Sequence, residues 1–133
     1  MASAGKYLPT TVMATIVLLA LSLPAPAEEC RRTVDVSVSA YSLTEQYNSN
    51  GKTASGIVPR PGFIAISRDL EREHGLKFGD TVWIKGLGEY IVQDWTHLRK
   101  NNSVDIFMES YRKARNFGIR KLKMIIELCN PSD

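Results

Sequence analysis

The chain is 133 residues long, sets 17 lysines and arginines against 14 aspartates and glutamates for a formal charge of +3, and is 44% hydrophobic. That apolar content excludes a disordered chain, and so mild a charge excludes the long cationic face that nucleic acid requires. Two histidines and two cysteines, none clustered, supply no ligand set, so no metal and no cofactor is expected.

Lys6 is the only charge before Glu28, and it precedes an apolar-to-small run from Thr11 to Leu23 that ends in Pro24-Ala25-Pro26-Ala27. This is the outline of a signal peptide over residues 1–27, cleaved after Ala27. Its apolar core falls short of the roughly 20 residues that span a bilayer. Glu28-Glu29 ahead of Cys30 exclude a lipid anchor, which needs a small residue there. The expectation is an exported monomer without a stable membrane anchor, either periplasmic or secreted and wall-associated, with residues 28–133 forming one domain. Cys30 and Cys129 bracket that domain, and a lone pair in an exported protein reads as a disulfide. Closing so long a loop contributes about 4 to 5 kcal/mol in the chain-entropy model. It also predicts that the first and last strands lie side by side.

Val34 to Ser42 alternates β-branched with small or polar residues and predicts a strand with one buried face. The loop from Leu43 to Pro61 contains Thr53-Ala54-Ser55-Gly56, small enough to bring backbone close to a ligand or another strand, or to form a simple turn. A short strand, Gly62 to Ile66, leads into a helix opened by Ser67 as N-cap, with Asp69 and Glu71 at its positive end, His74 exposed near its close and Gly75 as the stop. Thr81 to Lys85 is the next strand, with Trp83 assigned to the core. Gly86-Leu87-Gly88 turns it into Tyr90 to Gln93, which ends at Asp94. The loop from Trp95 to Ser103 holds His97, Arg99, Lys100 and two asparagines, the composition of a polar pocket rim.

Asp105 then interrupts the apolar run Val104 to Met108. Aspartate is depleted from strands and costly to bury, so each of Asp94 and Asp105 is either a solvent-facing strand residue or part of a site. A helix follows from Ser110 to Phe117, ended by Gly118, and Ile119 to Cys129 is a closing strand. Arg112, Lys113, Arg115, Arg120, Lys121 and Lys123 form either a solvated face or a weak attraction for an anionic polymer. Six short strands, two short helices and no repeat predict a mainly β fold closed into a small barrel, because closure removes exposed strand edges.

Taken in order, Thr53-Ala54-Ser55-Gly56, Ile64-Ala65-Ile66, Leu76 to Ile84, Asp94, Val104-Asp105-Ile106-Phe107, Ala114 and Phe117-Gly118 resemble the three-aspartate (3D) domain, over roughly Val38 to Ile126. The resemblance implies a six-stranded double-psi β-barrel related to the A-type membrane-bound lytic transglycosylases. It also implies cleavage of the β-1,4 bond between N-acetylmuramic acid and N-acetylglucosamine in peptidoglycan, leaving a 1,6-anhydro end. Asp105 matches the family's catalytic acid and Asp94 its supporting second aspartate. Ser67 stands where the first aspartate belongs, with Asp69 two residues on, and Trp95 to Asn102 replace the usual glycine-rich loop.

Such an enzyme uses the sugar's own 6-hydroxyl as nucleophile, so a single carboxyl serves first as acid and then as base. Asp105 has to hold a proton near neutral pH, helped by burial and by Asp94. Arg99 or Lys100 folded over Asp105 defeats that role, while the same cations can hold the lactyl or peptide carboxylates of a glycan strand. Trp95 and Tyr41 are candidates for stacking on sugars or for ordinary packing. With Ser67, Thr53 and Arg99 they make the expected substrate contacts to peptidoglycan glycan strands. Two rival readings stand beside the enzyme: a non-catalytic glycan-binding or wall-associated module on the same barrel, and a secreted effector or structural protein whose aspartates merely bond backbone amides.

Overall fold

The computed structural model describes residues 2–5, 30–43 and 50–128, so most of the expected signal segment, together with Cys129, lies outside the described residues. The elements run β1 (Arg31–Tyr41), β2 (Phe63–Ile66), α1 (Arg68–His74), β3 (Thr81–Ile84), β4 (Gly88–Trp95), β5 (Ser103–Phe107), α2 (Tyr111–Phe117) and β6 (Arg120–Glu127). The six strands close into a barrel in the order β1-β5-β2-β4-β3-β6. Two pairs are parallel, β1 with β5 and β2 with β4, and the other four are antiparallel.

Exchanging β1-β2-β3 for β4-β5-β6 leaves both the cyclic order and the sense of every pairing unchanged. The helices obey the same exchange, one following β2 and the other β5. Two interlocked halves of this kind, each with a crossover into a parallel pair, make the double-psi β-barrel. The sequence has no repeat, so the symmetry belongs to the topology alone.

Each strand sends alternate side chains inward. Val36, Val38, Ile64, Ile66, Val82, Ile84, Val92, Val104, Ile106, Met124 and Ile126 fill the barrel, with Leu70 and Leu76 closing over it. The first and last strands lie side by side, from Arg31 opposite Glu127 to Val38 opposite Arg120, and the Leu128 amide donates to the Cys30 carbonyl at 2.7 Å. No cysteine among the described residues is free. None of the helices among them is long and apolar enough to cross a membrane.

Three local expectations change. Trp83 is half exposed rather than core: Val82 and Ile84 point inward, and the pleat turns the residue between them out to solvent. Ser67 precedes α1 but makes no side-chain cap; its hydroxyl is engaged elsewhere, and the cap that forms is Ser110, which accepts the Lys113 amide of α2 at 3.3 Å. His74 is half-buried rather than exposed. Gly75 stops α1 as expected, in the left-handed conformation at φ 67°, with its amide on the Glu71 carbonyl.

Candidate functional site

One row of side chains crosses four strands on the outside of the barrel. Ser39 of β1 pairs with Asp105 of β5, Asp105 with Ala65 of β2, and Ala65 with Asp94 of β4. Asp105 reaches this face by plain alternation, because Val104 and Ile106 on either side are in the core. Asp94 reaches it by a bulge. Two residues from inward-facing Val92, it ought to point inward as well, but the register with β2 jumps from Ile64–Val92 to Ala65–Asp94 and leaves Gln93 unmatched. One extra residue reverses the parity and aims the carboxylate outward beside its partner. The two aspartates therefore flank Ala65 on one surface.

Their hydrogen bonds differ. Lys100 places its ammonium 2.9 Å from each carboxylate oxygen of Asp105, and the Ser39 hydroxyl donates to Asp105 Oδ1. Asp94 Oδ1 accepts backbone amides from Ala54 and Trp95, each at 2.9 Å. The Ala54 contact belongs to the Thr53-Ala54-Ser55-Gly56 segment, which lies along β4 with the Ser55 amide on the Gln93 carbonyl. Thr53 is buried there, its hydroxyl donating to the Ile57 carbonyl at 3.0 Å.

Tyr41 packs edge-on against Phe107, ring centroids 5.5 Å apart, and Ala65 completes this small apolar patch beside the row. Its hydroxyl is buried without a hydrogen bond of ordinary geometry. Burial, then the charges of Asp94 and Asp105, and the pull of Asp94 on the hydroxyl proton hold this phenol far above its usual range. Tyr41 is thus a neutral donor aimed at an acidic surface.

The loop that delivers Lys100 is pinned at its far end. Asn102, at a positive φ of 44°, donates its amide to Asp69 Oδ2 at 2.7 Å, and the Ser103 amide donates to Ser67 Oγ at 2.9 Å. Ser67 and Asp69 thus hold backbone of the loop and of β5. Trp95 lies against Phe78, centroids 4.5 Å apart, with the Arg68 guanidinium 4.3 Å over its ring. A sugar approaching that face meets Arg68 first. Arg99 is exposed, and its amide donates to His97 Nδ1 at 3.2 Å. Among the described residues no three histidine, cysteine or acidic side chains gather to hold a metal.

The sequence reading missed Ser39 and Ala65, which complete the row. Ser39 was legible as an outward position of the alternating stretch from Val36 to Ala40. Nothing in β4 marked the bulge.

The surface so defined is a double-psi barrel face with two flanked carboxylates, one under a lysine and one under backbone amides. No family model matches the chain. It is similar to the cell wall-binding protein YocH of Bacillus subtilis (strain 168), 26% identical over 101 residues that take in 73% of this chain and 33% of the relative. The chain thus spans about a third of that relative's length. Among solved structures it resembles an expansin of Clavibacter michiganensis with a TM-score of 0.50 at 21% identity, over 77% of this chain and 53% of that one. It also resembles the computationally designed msDPBB_sym2, with a TM-score of 0.42 at 18% identity, over 72% of this chain and 99% of that one. The expansin likeness bears on the fold alone.

Proposed function

We propose that this protein is an exported, cell-wall-associated module that binds peptidoglycan glycan strands on the aspartate face without cleaving them. The observation that carries the reading is the occupancy of Asp105. Ser39 and Lys100 take its oxygens with donors, and the ammonium sits across the whole carboxylate. A general acid must present its own proton to the glycosidic oxygen, and here that space is held by a cation. Asp94 is likewise committed through Oδ1 to the amides of Ala54 and Trp95.

What the surface offers instead is recognition. Lys100 and the neighbouring Arg99 suit the lactyl and stem-peptide carboxylates of a glycan strand, while the Asp94 carboxylate suits its hydroxyls and amides. Thr53 and Ser67 act behind them by holding backbone. A relative named for cell-wall binding supports the same assignment. So do the signal peptide expected over 1–27 and the disulfide expected between Cys30 and Cys129, both of which suit export. The lytic transglycosylase reading keeps one point in its favour, the placement of both aspartates on one face.

Co-sedimentation with purified peptidoglycan tests the proposal. The protein is expected in the pellet, and Lys100→Gln is expected to shift it toward the supernatant. Wild-type protein that stays wholly in the supernatant contradicts the assignment.

A further inference from the structure

The opposite pole of the barrel carries a second surface of the same chemical kind. In the strand order, β3 and β6 are separated from β2 and β5 by β4 on one side and β1 on the other, so the two pairs stand back to back. There Trp83 pairs with Ile125 across β6 and with Glu89 across β4, and the residue is 50% exposed. A groove of about 310 Å³ opens beside it, lined among others by Arg31, Thr81, Glu89, Ile125 and Glu127.

A strand does not need so large an apolar side chain on its outer face, where threonine meets the propensity while exposing little apolar area. Trp95 is covered by Phe78 and Arg68, whereas no ring or cation lies over Trp83 among the described residues. Around the open indole stand a hydroxyl, a Glu89 carboxylate without an ion-pair partner among the described residues, and the Arg31 and Glu127 side chains joined at 3.2 Å. A flat apolar platform rimmed by acceptors fits a ring with a C–H face and equatorial hydroxyl or amide donors, which is the chemistry of a pyranose. With Arg31 already paired, Glu89 leaves the rim acidic, and that disfavours phosphate-rich or carboxylate-rich polymers.

We propose that Trp83 is the platform of a second glycan site, selective for uncharged β-1,4-linked N-acetylhexosamine, and that one barrel holds glycan segments on two opposite faces. The proposal rests on the reading of the aspartate face as a glycan surface, and it adds an independent contact with its own ligand preference.

The test is an amide and indole proton–nitrogen NMR titration of the isotope-labelled protein with the β-1,4 hexamer of N-acetylglucosamine. The Trp83 indole signal and the amides of Thr81, Glu89 and Ile125 are expected to move, and to move equally in Lys100→Gln. In Trp83→Ala these amide shifts require about thirty-fold more hexamer, the loss typical of a central tryptophan contact. Trp83→Phe keeps a ring on the same outer position and falls in between, which separates lost stacking from a damaged fold. Signals that move only around Asp94 and Asp105 overturn the second site and leave the first reading standing. Movement with a lysine-rich peptide but not with the hexamer overturns the ligand class. No shift with the hexamer, together with no sedimentation on peptidoglycan, removes both readings.

Discussion

Lys100 and Asp105, five residues apart on a loop and the strand it feeds, meet in a two-pronged contact, Nζ standing 2.9 Å from each carboxylate oxygen. The lysine side chain is 41% exposed and the aspartate side chain 15%. Solvent screens such a pair, so its share of stability stays below about 1 kcal/mol. Its value is positional. Lys100→Gln is expected to change thermal stability little while weakening peptidoglycan binding about ten-fold, the worth of one charge-assisted contact. Parallel melting and sedimentation measurements check both halves.

Asp94 acts as a clasp. Its Oδ1 receives the Ala54 and Trp95 amides, joining the 53–56 segment to the edge of β4. Asp94→Ala leaves two amides without their acceptor and is expected to cost about 1 to 3 kcal/mol, with Asp94→Asn milder because an amide oxygen can still accept. Denaturant unfolding gives the size, and faster hydrogen exchange at Ala54 and Trp95 identifies the cause.

Asp69 predicts an acid-labile component of stability. Burial alone raises its carboxyl, but the nearby Ser67 hydroxyl, the Asn102 amide bonded to it, and the neighbouring amides of Asp69 itself and Leu70 outweigh burial and hold it below the usual carboxylate range. A group depressed in the folded state stabilises the fold above its unfolded value, near pH 4, and loses that contribution as pH falls through the lower folded value. Urea unfolding at pH 7 and at strongly acidic pH is expected to show a smaller acid loss in Asp69→Asn than in wild type. The same substitution replaces the charged acceptor of the Asn102 amide with a weaker amide oxygen and loosens the loop that carries Lys100.

The pleat of β3 predicts opposite outcomes for adjacent residues. Val82 is 1% exposed and Trp83 50%. Val82→Ala is expected to destabilise by about 1 to 3 kcal/mol through a core cavity, while Trp83→Ala, which removes the larger side chain, stays within about 1 kcal/mol. Thermal unfolding of the two variants decides it.

The barrel was legible because alternation is a local signal. Val36 and Val38, Ile64 and Ile66, and Val104 and Ile106 each announced an inward set two residues apart, and the Cys30 and Cys129 positions foretold the pairing of β1 with β6. The same rule placed Asp105 outward. It was misapplied at Trp83, where size outweighed parity although Val82 and Ile84 already claimed the interior. Asp94 lay beyond it, since the unmatched residue at Gln93 is set by pairing with β2 and has no composition of its own. Ser67 has the chemistry of an N-cap, yet its hydroxyl oxygen accepts the amide of Ser103, thirty-six positions away. Whether Lys100 covered Asp105 or reached into solvent depended on the path of the loop, which is fixed from outside by Asp69 and Ser67.

The central claim, that this face binds glycan and does not cut it, is tested most directly by incubating the protein with purified peptidoglycan and chromatographing the soluble fraction. The account predicts protein bound to the wall polymer and no 1,6-anhydro-muropeptides above background, for wild type and Asp105→Asn alike. Anhydro products released by wild type and lost in Asp105→Asn contradict it.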